Sequence, residues 1–223
     1  MKDLKNISIR ETKDGSTTLY VADINETYHS SHGAMQEAKH VFIMNGLELL
    51  SKDCIHVLEV GFGTGLNALL TSDFSVRNKQ QINYVGLETV PLKIEIIDKL
   101  NYLEHEPSLS KSFFLEIHSS DWEKKNSIHE FLTIEKINSS VQEFVPENDF
   151  DIVFYDAFGP RAQSEMWEKE IFEKLYGVIS NNGILVTYCA MGQFKRDLKS
   201  VGFAVKNVPG PPGKREMTIA IKE

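Results

Sequence analysis

Three glycines, each separated by one residue, follow a short apolar stretch in the first third of the chain. Gly61, Gly63 and Gly65 lie in the sequence Glu59-Val60-Gly61-Phe62-Gly63-Thr64-Gly65-Leu66-Asn67. Glycine has no side chain, so the backbone can turn sharply there and approach a bound molecule closely. The spacing therefore predicts a ligand-binding loop, with an ordinary tight turn as the alternative.

The residue after the loop indicates the type of ligand. A dinucleotide-binding fingerprint, G-x-G-x-x-G, would place its third glycine at Leu66, where it lets the helix approach the strand beside a pyrophosphate. The absence of that glycine favours a ligand without a pyrophosphate, and S-adenosylmethionine is such a ligand. We expect the cofactor to contact the loop and the start of the next helix at Gly61, Gly63, Thr64, Gly65 and Asn67.

Acidic and polar residues accompany this loop in a suitable order. Glu88 ends the next apolar stretch, where a carboxylate can accept hydrogen bonds from both ribose hydroxyls, although a solvated strand end is the alternative. Glu59 lies two residues before the loop, which predicts a position near the methionine amino group. After the third strand, Asn138 and Ser139 are the candidates for the adenine pocket, with an amide or a hydroxyl to bond the base.

The surrounding elements alternate between strands and helices. Short apolar runs predict strands at 55–60, 83–88, 131–137, 150–155 and 183–189, and helical spacing predicts helices at 33–50, 66–72, 90–103 and 166–179. Segments 203–208 and 216–221 are strand-like and flank a Pro/Gly-rich loop, so we expect an antiparallel C-terminal hairpin. Residues 7–12 and 17–21 predict an N-terminal hairpin, and residues 104–130 are assigned only as loop with one helix.

This order predicts an α/β fold of the Rossmann-like class I methyltransferase type. We expect a seven-stranded, mostly parallel sheet with helices on both faces, because repeated strand–helix units form such sheets. The predicted domain organisation is a small β extension over residues 1–32, packed on a main domain over residues 33–223.

Composition excludes several classes of protein. Cys54 and Cys189 have no metal-ligand spacing, so we expect reduced thiols and no metal site. No apolar run is long enough for a membrane helix, and Met1–Asn6 does not open a signal peptide, which predicts a cytoplasmic protein. The net charge of −8 argues against nonspecific coating of nucleic acid, but residues 191–223 carry +4, so a polyanion could dock at the C-terminal end. A solvated tail is the alternative.

Four sequence segments resemble the methyltransferase domains of the bacterial tRNA 5-methylaminomethyl-2-thiouridine biosynthesis proteins, the MnmC family. The segments span most of the chain and are Tyr28-His29-Ser30-Ser31-His32-Gly33-Ala34-Met35-Gln36-Glu37-Ala38 with Val41-Phe42-Ile43, Gly61-Phe62-Gly63-Thr64-Gly65-Leu66-Asn67, Tyr155-Asp156-Ala157-Phe158-Gly159-Pro160 with Met166-Trp167, and Gly213-Lys214-Arg215-Glu216-Met217. Two departures concern the site: Ala157 and Gly159 exchange the family's Gly and Ala around Phe158, and Asn138-Ser139 stands where Gly-Asp is usual.

The resemblance implies methylation of the exocyclic aminomethyl nitrogen of 5-aminomethyl-(2-thio)uridine at the tRNA wobble position. Asp156 would then orient the substrate ammonium or accept its proton, with a strand-end cap as the alternative. Tyr28, Phe158 and Pro160 would wall the pocket and stack on the base. Lys214 and Arg215 would contact phosphates of the anticodon loop, unless they form a solvated hairpin. No FAD-dependent oxidase segment, as fused in some relatives, is expected after Glu223.

Two other functions compete with this interpretation. Aminopropyl transfer of the polyamine-synthase type uses the same fold and an acid after the fourth strand, but paired acids for a polyamine are not evident. The other is a non-catalytic, S-adenosylmethionine-binding partner subunit. Retention of both Glu88 and Asp156 argues against such a degenerate site.

Overall fold

The fold is built on one large mixed sheet. The computed structural model describes residues 6–223, so Met1–Lys5, on which the expectation about a signal peptide partly rests, lie outside it. Eight strands form the sheet in the order β10-β11-β9-β8-β4-β5-β7-β6. Its strands are β4 (Cys54–Val60), β5 (Gln81–Leu87), β6 (Lys125–His129), β7 (Leu132–Ile137), β8 (Phe150–Tyr155), β9 (Ile179–Thr187), β10 (Ala204–Pro209) and β11 (Glu216–Ile221).

The predicted fold class is confirmed, with one strand more than expected. Strands β9, β8, β4, β5 and β7 are parallel to one another, whereas β11 pairs antiparallel with β9 and β10 completes the C-terminal hairpin. The additional strand is β6, which pairs antiparallel with β7 at the other edge. Its sequence, Lys-Asn-Ser-Ile-His, contains a single apolar residue, so it carries no period-two pattern that could have predicted a strand.

Seven α-helices accompany the sheet in the described part of the chain. They are α1 (Ala34–Ala38), α2 (Leu66–Asn78), α3 (Ile94–Ile97), α4 (Tyr102–His105), α5 (Lys111–Ser119), α6 (Lys169–Val178) and α7 (Gly192–Val201). Two hydrophobic clusters form the core, and alternate side chains of the strands belong to different clusters. In β8, Ile152 and Phe154 pack in one cluster and Val153 and Tyr155 in the other. Both faces of the sheet are therefore covered, as its apolar strands require.

Two predicted helices are broken into shorter pieces. Over 33–50, α1 continues as a π-helical segment (Lys39–Met44) and a 3₁₀ turn (Leu47–Leu49), separated at Gly46. A Cβ atom at Gly46 would lie 2.2 Å from the carbonyl oxygen of Phe42, so the chain folds back too closely for any side chain. Over 90–103, only α3 and the start of α4 are helical. Pro91 disfavours helix at Val90, so the helix does not begin there.

The N-terminal segment forms its own small antiparallel sheet. Its strands are β1 (Ile7–Glu11), β2 (Thr17–Val21) and β3 (Glu26–Thr27), so the predicted hairpin gains a short third strand. Leu19 is fully buried in the same cluster as the residues of α2. The backbone N–H of Thr17 donates to the side-chain oxygen of Asn101 at 2.7 Å, which ties the small sheet to the segment before α4.

Candidate active site

The glycine loop joins β4 to α2 at the carboxyl edge of the parallel strands. Gly61, Gly63 and Gly65 all have left-handed backbone angles, with φ of 93°, 50° and 69°. A Cβ atom at Gly61 would lie 2.6 Å from the carbonyl oxygen of Asp156, and one at Gly63 would lie 3.0 Å from the Tyr28 ring. The glycines are therefore required both for the turn and for the close approach of two other segments.

Glu88 closes one side of the loop. Its carboxylate accepts hydrogen bonds from the backbone N–H groups of Gly63 and Val90, both at 2.9 Å. Burial raises the pKa of Glu88, and these backbone donors oppose the increase. The acid is thus held at the edge of the loop by main-chain bonds, in a place where its remaining lone pairs could accept hydrogen bonds from the hydroxyls of a ribose.

Asn67 connects two acids of the site, the buried Glu59 and the partly exposed Asp156. Its side-chain NH₂ donates to Glu59 at 2.8 Å and to Asp156 at 2.9 Å, while its Oδ1 is buried without a hydrogen-bond partner. The other oxygen of Glu59 accepts from the Tyr84 hydroxyl at 2.6 Å. Burial raises the pKa of Glu59 well above its usual range. Glu59, expected beside the methionine amino group, therefore lies behind Asn67 and outside the cavity wall.

Asp156 follows β8 directly and lies beside the glycine loop. Its backbone N–H donates to the carbonyl of Val60 at 3.0 Å, which fixes the ends of β8 and β4 together. Burial, and next the negative charge of Glu37, raise the pKa of the Asp156 carboxyl to about 7. A carboxyl group with this pKa exists in both protonation states near neutral pH, as a general base requires.

These residues surround a cavity at the carboxyl edge of the parallel strands. Its wall comes from the loop, the ends of β5, β7 and β8, and the N-terminal segment. The lining residues are Tyr28, His29, Val60, Gly61, Phe62, Gly63, Thr64, Leu66, Asn67, Leu87, Glu88, Thr89, Ser139, Ser140, Val141, Asp156, Ala157, Phe158, Gln163 and Met166.

Two aromatic rings form the wall nearest to Asp156. Tyr28 and Phe158 meet edge to face with ring centroids 5.0 Å apart. The indole N–H of Trp167 donates to the Phe158 carbonyl at 2.8 Å, so this buried tryptophan supports the wall from behind. Pro160 is half-buried and outside the cavity wall.

The two residues predicted for the adenine pocket, Asn138 and Ser139, occupy different positions. Ser139 lines the cavity beside Ser140 and Val141, whereas Asn138 is exposed and outside the wall. The side-chain amide of Asn138 donates to the Glu88 carbonyl at 3.0 Å and thereby links the ends of β7 and β5. Thr64 also lines the cavity, and its buried hydroxyl accepts from the Tyr102 hydroxyl at 3.0 Å.

The two basic residues of the C-terminal hairpin, Lys214 and Arg215, lie in different environments. Arg215 is 92% exposed, with a 3.3 Å contact to Glu216. Lys214 instead donates to the buried carboxylate of Glu37 at 2.6 Å, and its ammonium lies 3.7 Å from the centroid of the Tyr188 ring. Neither residue lines the cavity, and only Arg215 presents its charge to solvent.

Sequence reasoning did not identify several residues that support the site. Tyr84, Tyr102 and Glu37 act through hydrogen bonds to Glu59, Thr64 and Lys214. Their partners are up to 177 residues away in sequence, so local spacing carried no signal for them. Glu37 and Met166 lie within the sequence segments that resemble the MnmC family, and this resemblance was the one signal that could have identified them.

The cavity fits S-adenosylmethionine on the chain's own geometry. The three glycines leave open a cradle that side chains would fill, Glu88 stands at its edge, and the buried Oδ1 of Asn67 is an acceptor without a donor. A glycine loop between the first strand and helix, followed by an acid after the next strand, defines a Rossmann-like methyltransferase. Residues 108–223 match the family model for S-adenosyl-L-methionine-dependent methyltransferases, and the chain belongs to this family.

Similar proteins confirm the resemblance to MnmC. The chain is 29% identical over 211 residues to the tRNA 5-methylaminomethyl-2-thiouridine biosynthesis bifunctional protein MnmC of Leptospira interrogans, a match that covers 87% of this chain and 32% of that protein. An uncharacterised protein of Methanocaldococcus jannaschii is 25% identical, with 100% of this chain and 62% of that protein covered. The chain thus spans about a third of the length of the MnmC relatives.

Solved structures share the fold. The crystal structure of MnmC2 from Aquifex aeolicus matches with a TM-score of 0.79 at 24% identity and covers 98% of this chain and 71% of that one. Spermidine synthase from Thermotoga maritima matches with a TM-score of 0.61 at 15% identity, over 100% of this chain and 70% of that one. In residues 6–223 no helix is long and apolar enough to cross a membrane, and no group of three or more potential metal ligands occurs.

Proposed function

We propose that this methyltransferase methylates the exocyclic aminomethyl nitrogen of 5-aminomethyl-(2-thio)uridine at the wobble position of tRNA. The MnmC relatives are named for the biosynthesis of 5-methylaminomethyl-2-thiouridine, which such a methylation would produce. One observation of the site carries the proposal: the carboxyl of Asp156, with a pKa of about 7, lines the cavity between the glycine loop and an aromatic wall. Because the proposed substrate is tRNA, we propose that the reaction takes place in the cytoplasm.

The loop side of the cavity would hold the cofactor. S-adenosylmethionine, when bound, supplies an electrophilic methyl group. Gly61, Gly63 and Gly65 leave room for it, Glu88 accepts from the ribose hydroxyls, and the free Oδ1 of Asn67 accepts from an ammonium group. Ser139 is the polar residue nearest to the adenine position proposed after β7, while Glu59 positions Asn67 from behind.

Asp156 would receive the substrate amine. An aliphatic amine is mostly protonated at neutral pH, so its nitrogen must lose a proton before it can attack. The Asp156 carboxylate attracts the ammonium and accepts that proton, and its raised pKa makes the transfer more favourable than to an ordinary aspartate.

The aromatic wall would hold the flipped base. Bases of single-stranded RNA loops stack on aromatic side chains, and Tyr28 and Phe158 present such rings beside Asp156. Outside the cavity, the exposed guanidinium of Arg215 is the contact that we propose for a phosphate of the anticodon loop.

The proposal is tested with S-adenosylmethionine carrying a labelled methyl group and tRNA from a strain that lacks the final methyl group. We expect label in 5-methylaminomethyl nucleosides after digestion, at levels proportional to enzyme. A second assay supplies putrescine together with decarboxylated S-adenosylmethionine that carries a labelled aminopropyl group. Label in spermidine would support aminopropyl transfer instead. No label in any RNA nucleoside, while calorimetry shows cofactor binding, would refute the tRNA substrate.

A further inference from the structure

We propose that Lys214 is a positioning residue that acts on Asp156 through Glu37 and Tyr188, and that its principal role is internal to the protein. This inference rests on the role proposed above for Asp156. It reassigns a lysine whose sequence context, beside Arg215 in a basic loop, predicted a contact with RNA.

The geometry joins three segments through Lys214, Glu37 and Tyr188, whose ionisable groups all interact with Asp156. Lys214 extends from the β10–β11 loop to the buried carboxylate of Glu37 on α1, at 2.6 Å. The second oxygen of Glu37 accepts from the backbone N–H of Ser30 at 2.9 Å, two residues after Tyr28. The ion pair therefore holds the segment that carries one ring of the aromatic wall.

The third segment is the end of β9. The Lys214 ammonium lies 3.7 Å from the centroid of the Tyr188 ring, a cation–π geometry. The Tyr188 hydroxyl donates at 2.8 Å to the carbonyl of Ala157, the residue that follows Asp156. Through Glu37 and Tyr188, Lys214 is thus connected to the segment that carries Tyr28 and to the residue that follows Asp156.

The charged groups around Asp156 explain how Lys214 can affect the titration of this carboxyl. The ionisable groups that interact with Asp156 are Glu37, Glu59, Lys214, Tyr84, Tyr102 and Tyr188. Among them Lys214 is the one cation, and it favours the carboxylate form, whereas Glu37 disfavours it. Removal of Lys214 would leave the buried charge of Glu37 uncompensated and shift the titration of Asp156 to higher pH.

The test follows the Asp156 carboxyl directly by NMR in free protein with ¹³C-labelled aspartate, the signal being assigned by its loss in Asp156→Asn. We expect Lys214→Met to raise the pKa of Asp156 by about one pH unit or more, and Glu37→Gln to lower it. Combining the two substitutions should return the value close to that of the wild type, and Lys214→Arg should retain it. Because no RNA is present, this result is independent of whether tRNA is the substrate.

Arg215→Met is the matched control, since it removes the neighbouring positive charge from an exposed side chain and should leave the Asp156 titration unchanged. Equal pKa values of Asp156 in wild type, Lys214→Met and Arg215→Met would overturn the proposal. If Lys214→Met does not fold, as judged by circular dichroism, the Glu37→Gln and Lys214→Arg variants carry the same test. An unchanged Asp156 pKa in Glu37→Gln would then refute it.

Discussion

Asp156 shows how a side chain acquires function from its surroundings. The carboxyl is partly exposed to the cavity and lies near two buried acids, Glu59 and Glu37, while one hydrogen bond from the Asn67 amide favours its charged form. A surface aspartate with the same bonds would be fully ionised at neutral pH. Burial instead raises the pKa to about 7, so the residue can accept a proton under physiological conditions.

Asp156→Asn should abolish methyl transfer and spare cofactor binding. Asparagine keeps the shape and can still accept from Asn67, but it cannot take a proton from the substrate. We expect methyl transfer to tRNA to fall at least about 100-fold, with the Kd for S-adenosylmethionine changed less than about threefold. Asp98→Asn, on the exposed end of α3, is the control for a general effect of charge. Full activity of Asp156→Asn would remove Asp156 from the chemistry.

The raised pKa of Asp156 also predicts a pH-dependent stability. The folded carboxyl titrates near pH 7 and the unfolded one near 3.9, so the folded state binds the proton more tightly, and this contribution to stability is lost as pH rises toward 7. Asp156→Asn lacks this titration. Its free energy of unfolding minus that of the wild type should therefore be about 2 kcal/mol larger, that is more stable, at pH 8 than at pH 5.

Urea unfolding at the two pH values measures that difference. An identical difference between variant and wild type at pH 5 and pH 8 would mean that Asp156 has an ordinary pKa in the folded protein. The variant that is more stable at pH 8 should also be the inactive one, because the proposed reaction uses the same charge of Asp156 that costs stability.

At the scale of elements, the β4–α2 loop determines where cofactor and substrate can meet. The loop is held on one side by hydrogen bonds from Gly61 and Phe62 to the Leu87 carbonyl at the end of β5. On the other side, the β8 end packs against Gly61 and the Tyr28 ring packs against Gly63. Its backbone conformation is thus fixed by strands on both sides before any ligand binds.

Gly63→Ala should reduce cofactor affinity without unfolding the protein. The residue has a φ of 50°, and an added Cβ would lie 3.0 Å from the Tyr28 ring, so loop and ring must both shift. We expect the Kd for S-adenosylmethionine, measured by calorimetry, to rise about tenfold or more. Gly177→Ala, in α6 with open space around it, is the matched control and should leave the Kd unchanged. Equal affinities of the two variants would contradict this account of the loop.

For the whole molecule, charge is distributed unevenly. The net charge is −8, but residues 191–223 carry +4, so an approaching polyanion is repelled by most of the surface. The structure further divides the basic residues of this region, because Lys195 and Lys214 are paired with Glu216 and Glu37. Arg215, on the C-terminal hairpin, is 92% exposed and is the side chain that we propose for a phosphate contact.

Arg215→Gln should weaken tRNA binding with little dependence on sequence. Loss of one phosphate contact should lower affinity several-fold at low salt and reduce the salt dependence by about one ion, as measured by filter binding over a range of KCl. Arg77→Gln removes a charge from the end of α2, at the opposite edge of the sheet from the pocket, and serves as the control. If both variants bind tRNA as wild type does, the C-terminal hairpin is not the RNA contact.

The sequence alone determined the class of fold and the location of the site. Apolar runs ending at glycines and at Glu88 and Asp156 are local patterns, and their physical causes, backbone turning and strand burial, act within a few residues. Strand β8 begins and ends where its pattern predicted, and the glycine loop has the expected turn. The helix at 33–50 was predicted less well, because the break at Gly46 depends on a close approach of the backbone rather than on spacing.

Only the tertiary structure decided which side chains face each other. Strand alternation placed Glu59 on the side of Tyr84 and Asn67, behind the cavity wall, and packing brought Glu37 against Lys214 across 177 residues. The burial of Asp156, and hence its pKa, likewise depends on segments distant in the chain. These contacts form when the core assembles, because the folding energy depends on contacts between residues that are remote in sequence. A pattern confined to neighbouring residues therefore could not have predicted them.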